Sequence, residues 1–187
     1  EEAYDFIHRC CGSYEAQKAD AIYRFVQEGL RMGRAVMSHL TAPYMQTLFA
    51  IERNFTNESH FFIEILRFEE LENGTLFGRI NPKSEVLPYL ADHFADRFAG
   101  EQWVIADTVH RTVLLHKANY KTVYLSMDEV DMDELTLTYS EDEKQLQKLW
   151  KLFVNTIAIK ERVNPKLQRQ MLPLRFRKYM KEFSESE

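Results

Sequence analysis

The chain has 187 residues, is 45% hydrophobic and 13% aromatic, and carries a formal net charge of −5. That length suits one domain, and that apolar content builds a core, so general disorder is excluded. Apolar runs are only a few residues long, too short for a membrane-spanning helix. Cys10 and Cys11 are adjacent and have no second pair to cross-link, which points to a reducing, cytoplasmic setting. The start at Glu1-Glu2-Ala3, without Met, leads us to expect that a natural N-terminal segment is missing. Three sites match the N-glycosylation pattern, at Asn54, Asn57 and Asn73, and carry no meaning in a cytoplasmic protein.

Residues 1–62 read as helical. Ile22, Phe25, Val26 and Leu30 recur at helix spacing, and Gly33 marks an end. Thr41 and Pro43 open a second helix carrying Tyr44, Leu48, Phe49 and Ile51, which is expected to break at the polar residues 54–57. Glu58 and His60 are then expected at a helix-to-strand junction, where a carboxylate can orient an imidazole for acid–base work.

Residues 63–126 read as the sheet. Two apolar runs flank Glu72-Asn73-Gly74, a hairpin signal because Asn-Gly tolerates positive φ. A two-residue turn would set Arg67 opposite Ile80 and Phe68 opposite Arg79, so covered faces would need partners for both arginines. Residues 84–99 form a helix with Val86, Leu87, Leu90, Phe94 and Phe98 on one side. His93 and Arg97 share a face of it and, with Asp107 beyond, either bind an anion or tie helix to sheet. Strands are predicted over 102–106, 112–116 and 122–125, followed by an acidic connector over 127–134.

Residues 140–183 are helical again. Ser140 and Glu143 form a capping box, and Leu146, Leu149, Trp150, Phe153 and Ile157 are the expected buried stripe. Asn164 caps a short helix with Pro165 at its first position. Pro173 opens the last, with Phe176, Tyr179, Met180 and Phe183 inward and Arg177, Lys178 and Lys181 opposite. The fold class is α+β: one domain with a mostly antiparallel sheet of about five strands between N-terminal and C-terminal helices.

No glycine-rich phosphate loop, GxGxxG, GxSxG, CxxC or HExxH occurs, so the common nucleotide, zinc and iron–sulfur signatures are missing. No metal or cofactor is implied. Against an acidic chain, the basic residues cluster near the C-terminus: Lys160, Arg162, Lys166, Arg169, Arg175, Arg177, Lys178 and Lys181. Arg162, Lys166, Gln168, Arg169, Arg175 and Arg177 are the candidate phosphate contacts. A protein partner or a solvated, internally paired face are the other readings of the same charges.

Three stretches carry a resemblance: RFEELENGTLFGRINPKSEVLPYLADHFADRF at 67–98, the W-x-I-x-D pattern of Trp103–Asp107, and AIKERVNPKLQRQMLPLRFRKYM at 158–180. Together they resemble an uncharacterised bacterial family named for DNA metabolism or DNA repair. Its members are encoded beside a radical-SAM protein, and some are fused to a uracil-DNA glycosylase superfamily domain. The resemblance runs from about Tyr23 to Phe183. Its pattern falls on Glu58, His60, Arg67, Phe68, Pro88, His93, Phe94, Arg97, Asp107, Arg162, Asn164, Pro165, Gln168, Arg169, Pro173 and Arg175. Where the family more often has an aromatic pair, this chain has Phe176-Arg177. The resemblance implies a DNA-binding accessory of a radical-SAM enzyme. The alternatives are an enzyme acting on a nucleobase or nucleotide through Glu58, His60, His93 and Asp107, and a protein-binding module.

Overall fold

The computed structural model describes residues 1–129, 138–157, 159 and 162–183. Residues 130–134 of the acidic connector, Lys160 and Glu161 lie outside the described residues, as does the end at 184–187. The chain divides into two compact units, Glu1–Glu64 with Pro82–Leu90, and Ile65–Asn81 with Ala91–Glu187.

The first unit is helical. Helix α1 (Glu2–Gly12), α2 (Lys18–Met32) and α3 (Pro43–Ile65) are joined through a 3-10 segment, Gly33–Ser38. Its core holds Phe6, Cys10, Ala21, Phe25, Met45, Leu48 and Ile51. The stripe expected on α2 is only partly inward: Phe25 is buried, whereas Val26 and Leu30 are exposed. Helix α3 does not break at residues 54–57. Its buried positions continue as Leu48, Ile51, Phe55, Ser59 and Phe62 at helix spacing, and Asn54 and Asn57 sit on the exposed face. Two asparagines on a solvated face cost little propensity and do not end a helix whose stripe continues.

Among the described residues the second unit contains a five-stranded sheet in the order β1-β2-β3-β4-β5. The strands are β1 (Glu69–Glu70), β2 (Leu76–Ile80), β3 (Trp103–Asp107), β4 (Thr112–His116) and β5 (Val123–Ser126). Neighbours are antiparallel except β2 and β3, which are parallel and connected through helix α4 (Leu87–Arg97). The fold is α+β, as expected.

The hairpin register differs from expectation by one residue. Glu69 lies opposite Phe77 and Glu70 opposite Leu76. The loop has three residues: Gly74 N–H donates to the Leu71 carbonyl at 2.8 Å, and Leu71 N–H to the Thr75 carbonyl at 2.9 Å. Gly74 adopts φ 77°, the left-handed position that closes a type I turn with a bulge. Gly74→Ala is expected to cost about 1 kcal/mol, read as a lowered urea midpoint at unchanged m-value. The first apolar run does not become strand. Leu66 and Phe68 instead lie across Gly78, where an added Cβ would come 3.0 Å from the Leu66 side chain.

Both faces of the sheet are covered. One holds Leu71, Phe77, Val104, Ala106 and Val113. On the other, Phe68 meets Phe94, Phe98 and Trp103 edge to face, and Trp103 stacks on His116 at 4.9 Å. With covered faces the two arginines do find partners. Arg79 pairs with Glu69 at 3.3 Å, and the Arg67 guanidinium sits 4.4 Å from the centre of the Trp150 ring.

Helix α5 (Glu141–Ile157) overturns the expected burial stripe. Leu146, Leu149, Leu152, Phe153 and Ile157 are all exposed, Leu149 at 61% and Phe153 at 52%. The side turned inward carries Glu143, Gln147, Trp150 and Val154, about a quarter turn from the apolar arc. Hydrogen bonds set this rotation. Gln147 donates to Glu143 and Glu69, and Trp150 donates to Glu182. Periodicity locates an apolar stripe but does not say what it meets.

Candidate nucleic-acid interface

Helix α6 (Pro165–Met171) starts as the sequence predicts. Asn164 accepts the Leu167 N–H at 3.1 Å, and Pro165 occupies the first position. After Pro173 the chain does not form an α-helix. It makes two 3-10 segments, Leu174–Tyr179 and Lys181–Phe183. Three residues per turn regroup the side chains, so the expected division of faces fails for two cations. Arg177 donates from Nε and Nη2 to the Leu172 carbonyl, at 3.0 and 2.9 Å, and lies over Phe183. Lys181 pairs with Glu69. Phe176 is buried, and Tyr179, Met180 and Phe183 are half-buried.

The first 3-10 segment is anchored at the carboxyl ends of the parallel strands. Asn81, just past β2, donates its side-chain amide to the Arg175 carbonyl at 2.9 Å. Thr108, just past β3, shares a 2.9 Å hydrogen bond between its hydroxyl and that of Tyr179. The Arg175 guanidinium stands 4.3 Å from the Phe176 ring centre. Arg162, Lys166, Gln168 and Arg169 are exposed. Gln168 accepts a long 3.5 Å bond from Arg177. Arg162, Lys166 and Arg169 make no ion pair among the described residues.

Asp107 ends β3 fully buried. Its Oδ1 accepts the Val109 and His110 N–H groups at 2.9 and 3.1 Å, and its Oδ2 meets His110 Nδ1 at 2.6 Å. The carboxylate shapes the β3–β4 turn and orients one imidazole. His110 was not singled out from sequence. The Asp-x-x-His spacing inside a predicted turn is the signal that was available.

The other candidates fall on different elements. Glu58 and His60 lie within α3, not at a junction, and two residues along a helix point to different sides. Glu58 is 4% exposed and accepts the Lys83 and Ser84 N–H groups, each at 3.0 Å. His60 is exposed. His93 is half-buried, and among the described residues nothing hydrogen-bonds to its Nε2. Arg97 is exposed beside the Phe98 ring at 5.5 Å. Glu58 and His60 belong to the first unit, and His93 and Asp107 to the second. Among the described residues no group of three or more His, Cys, Asp or Glu side chains could hold a metal ion. No helix there is long and apolar enough to cross a membrane.

Residues 16–182 match a family described as a domain of unknown function, DUF4130. The chain belongs to that family. No curated protein and no solved structure matches it.

A second polar centre of this DUF4130 chain leaves no motif in the sequence. Glu69, 5% exposed, receives Arg79, Lys181, the Tyr139 hydroxyl at 2.8 Å and the Gln147 amide at 3.4 Å. Residues 138–140 return to the outer edge of β1, with Tyr139 bridged to Leu71 and Ser140 N–H donating to the Glu70 carbonyl. Ser140 caps α5 as expected, accepting the Glu143 N–H at 3.1 Å. Glu143, however, accepts from Gln147 and from the Glu70 N–H. Burial and the bond to Glu69 push the Tyr139 phenol up to about 12. A raised phenol contributes stability that is complete below its unfolded value near 10 and is lost as pH climbs toward 12. Burial also raises the Tyr44 and Tyr89 phenols, so absorbance titration should find a late phase near pH 12 that Tyr139→Phe removes. In the first unit, burial also pushes the Cys10 thiol up to about 12, so it is inert at neutral pH, while Cys11 is exposed.

Proposed function

We propose that this chain is a nucleic-acid-binding accessory of DNA metabolism that works beside a radical-SAM enzyme in the cytoplasm. The observation that carries this reading is the set Arg162, Lys166 and Arg169: three exposed cations around one short helix, with no ion pair among the described residues. Elsewhere Arg9, Arg79 and Lys181 are matched by Glu52 and Glu69. Unmatched cations on an acidic chain suit phosphate contact at one place and disfavour indiscriminate coating. The DNA link and the radical-SAM partner come from the family resemblance. The cluster chemistry would then reside in the partner.

Fluorescence anisotropy with labelled single- and double-stranded DNA at low salt tests this. The variant Arg162→Gln/Lys166→Gln/Arg169→Gln is expected to lose about tenfold or more in affinity. Affinity equal to that of the parent chain would sink the proposal.

Two other readings each have an observation in their favour. An enzyme acting on a nucleobase or nucleotide draws on His110, whose Nδ1 is held by Asp107 as a general base requires. A protein-binding module draws on the exposed apolar arc of α5. A radical-SAM complex formed equally well without DNA would favour the latter.

A further inference from the structure

The first unit contains a cleft of about 220 Å³ that the basic segment, His110 and the α5 arc leave unused. Its walls come from α1, α3 and the start of α4: Arg9, Phe55, Thr56, His60, Ile63 and Tyr89. We propose that this cleft receives one unstacked nucleobase. The inference rests on the nucleic-acid reading and adds a base site to it.

Size sets the first limit. A cavity of roughly 150 Å³ holds benzene, and pockets for drug-sized ligands begin near 300 Å³. The cleft therefore admits a single ring or a fused pair and leaves sugar and phosphate outside. Its walls set the second limit. Phe55 and Tyr89 meet edge to face at 4.9 Å, and the Tyr89 hydroxyl is fixed by a hydrogen bond to His8 Nδ1. A held aromatic ring beside Ile63 offers a flat apolar contact, the way proteins grip bases that have left the stack.

The polar groups set the third. Arg9 spends its Nε on Glu52 at 2.9 Å, and this leaves its terminal N–H groups for an incoming acceptor. The Thr56 hydroxyl has no hydrogen-bond partner among the described residues, and it is shielded from solvent, so only a small shift of its side chain would present it to a ligand. His60 is exposed at the cleft. Among the described residues no carboxylate lines the cleft. Donors without an acidic side chain select a planar ligand with acceptor atoms along its edge, and every base carries ring nitrogens or carbonyls there.

The test is NMR titration of the full chain with the four deoxynucleosides, which carry no phosphate and so cannot be held by the basic segment. At least one should shift the His60, Ile63 and Tyr89 signals, with a dissociation constant on the order of a millimolar or somewhat tighter. Ile63→Trp, which fills the cleft, should abolish the shifts. Should that variant fail to fold, exposed His60→Ala should weaken binding severalfold. No shift with any nucleoside would overturn the inference, as would shifts produced by phenol or indole alone, which would mark the cleft as a socket for a partner's aromatic side chain. Salt-dependent oligonucleotide binding without nucleoside shifts would overturn this inference alone and leave the nucleic-acid reading standing. Nucleoside shifts without oligonucleotide binding would support the cleft and remove the reading beneath it.

Discussion

Replacing Glu69 with alanine is expected to destabilise the protein by roughly 3–5 kcal/mol, because breaking a buried ion pair from one side strands the other charges. Glu69 is the shared acceptor for Arg79, Lys181, Tyr139 and Gln147. Among the described residues Arg79 would keep the Tyr139 hydroxyl at 3.0 Å and its approaches to the Phe77 and Tyr179 rings. The loss should appear as a lowered urea midpoint. The Tyr139 titration should also move down toward its ordinary value, since the bond to Glu69 helps to raise it. A cost below about 1 kcal/mol would mean that water replaces the carboxylate at once, as at an exposed pair.

Glu58→Ala is expected to cost about 2–4 kcal/mol. Hydrogen bonds to a charged acceptor contribute roughly 1.5–3 kcal/mol each, and an unmatched buried N–H adds its own penalty. Both carboxylate oxygens are used, one for the Lys83 N–H and one for the Ser84 N–H. These are the residues that lead from Pro82 into α4. Glu58→Gln keeps one acceptor oxygen and should cost about half as much. Amide exchange of Lys83 and Ser84 should be slow in the parent chain and fast in both variants. Fast exchange in the parent would show that the carboxylate does not hold this turn.

Much of the fold was legible because its signals are local. Strands β3, β4 and β5 begin and end within a residue or two of the expected runs, and Asn164-Pro165 capped α6 as the cap chemistry requires. The misses arise where a distant partner decides. The hairpin register turned on whether Glu72 belonged to the strand or the loop, which the Leu71–Gly74 hydrogen bond settles. The polar stretch at 54–57 resembles a break in the sequence, but Phe55, Ser59 and Phe62 carry the buried stripe of α3 across it. The apolar arc of α5 was assigned to the core because sequence cannot show that Glu143 and Gln147 are drawn inward by Glu69 and Glu70.

The candidate site shows the same division. Exposed Arg162, Lys166 and Arg169 follow directly from charge and helix position. Arg177 looked equivalent to them, but it is engaged by the Leu172 carbonyl and the Phe183 ring. That role depends on a 3-10 turn which propensity does not distinguish from an α-helix. Asp107 was visible as a polar residue closing a strand, whereas its imidazole partner was hidden in the turn beyond it.

The measurement that bears most directly on the central claim is the salt dependence of DNA binding by the intact chain. If Arg162, Lys166 and Arg169 each hold a phosphate, log K should fall linearly with log salt concentration. The slope should be about −3 on duplex and about −2 on single strands, and the triple glutamine variant should lose most of it. Absence of binding at low salt, or a slope that the three substitutions leave untouched, would contradict the account.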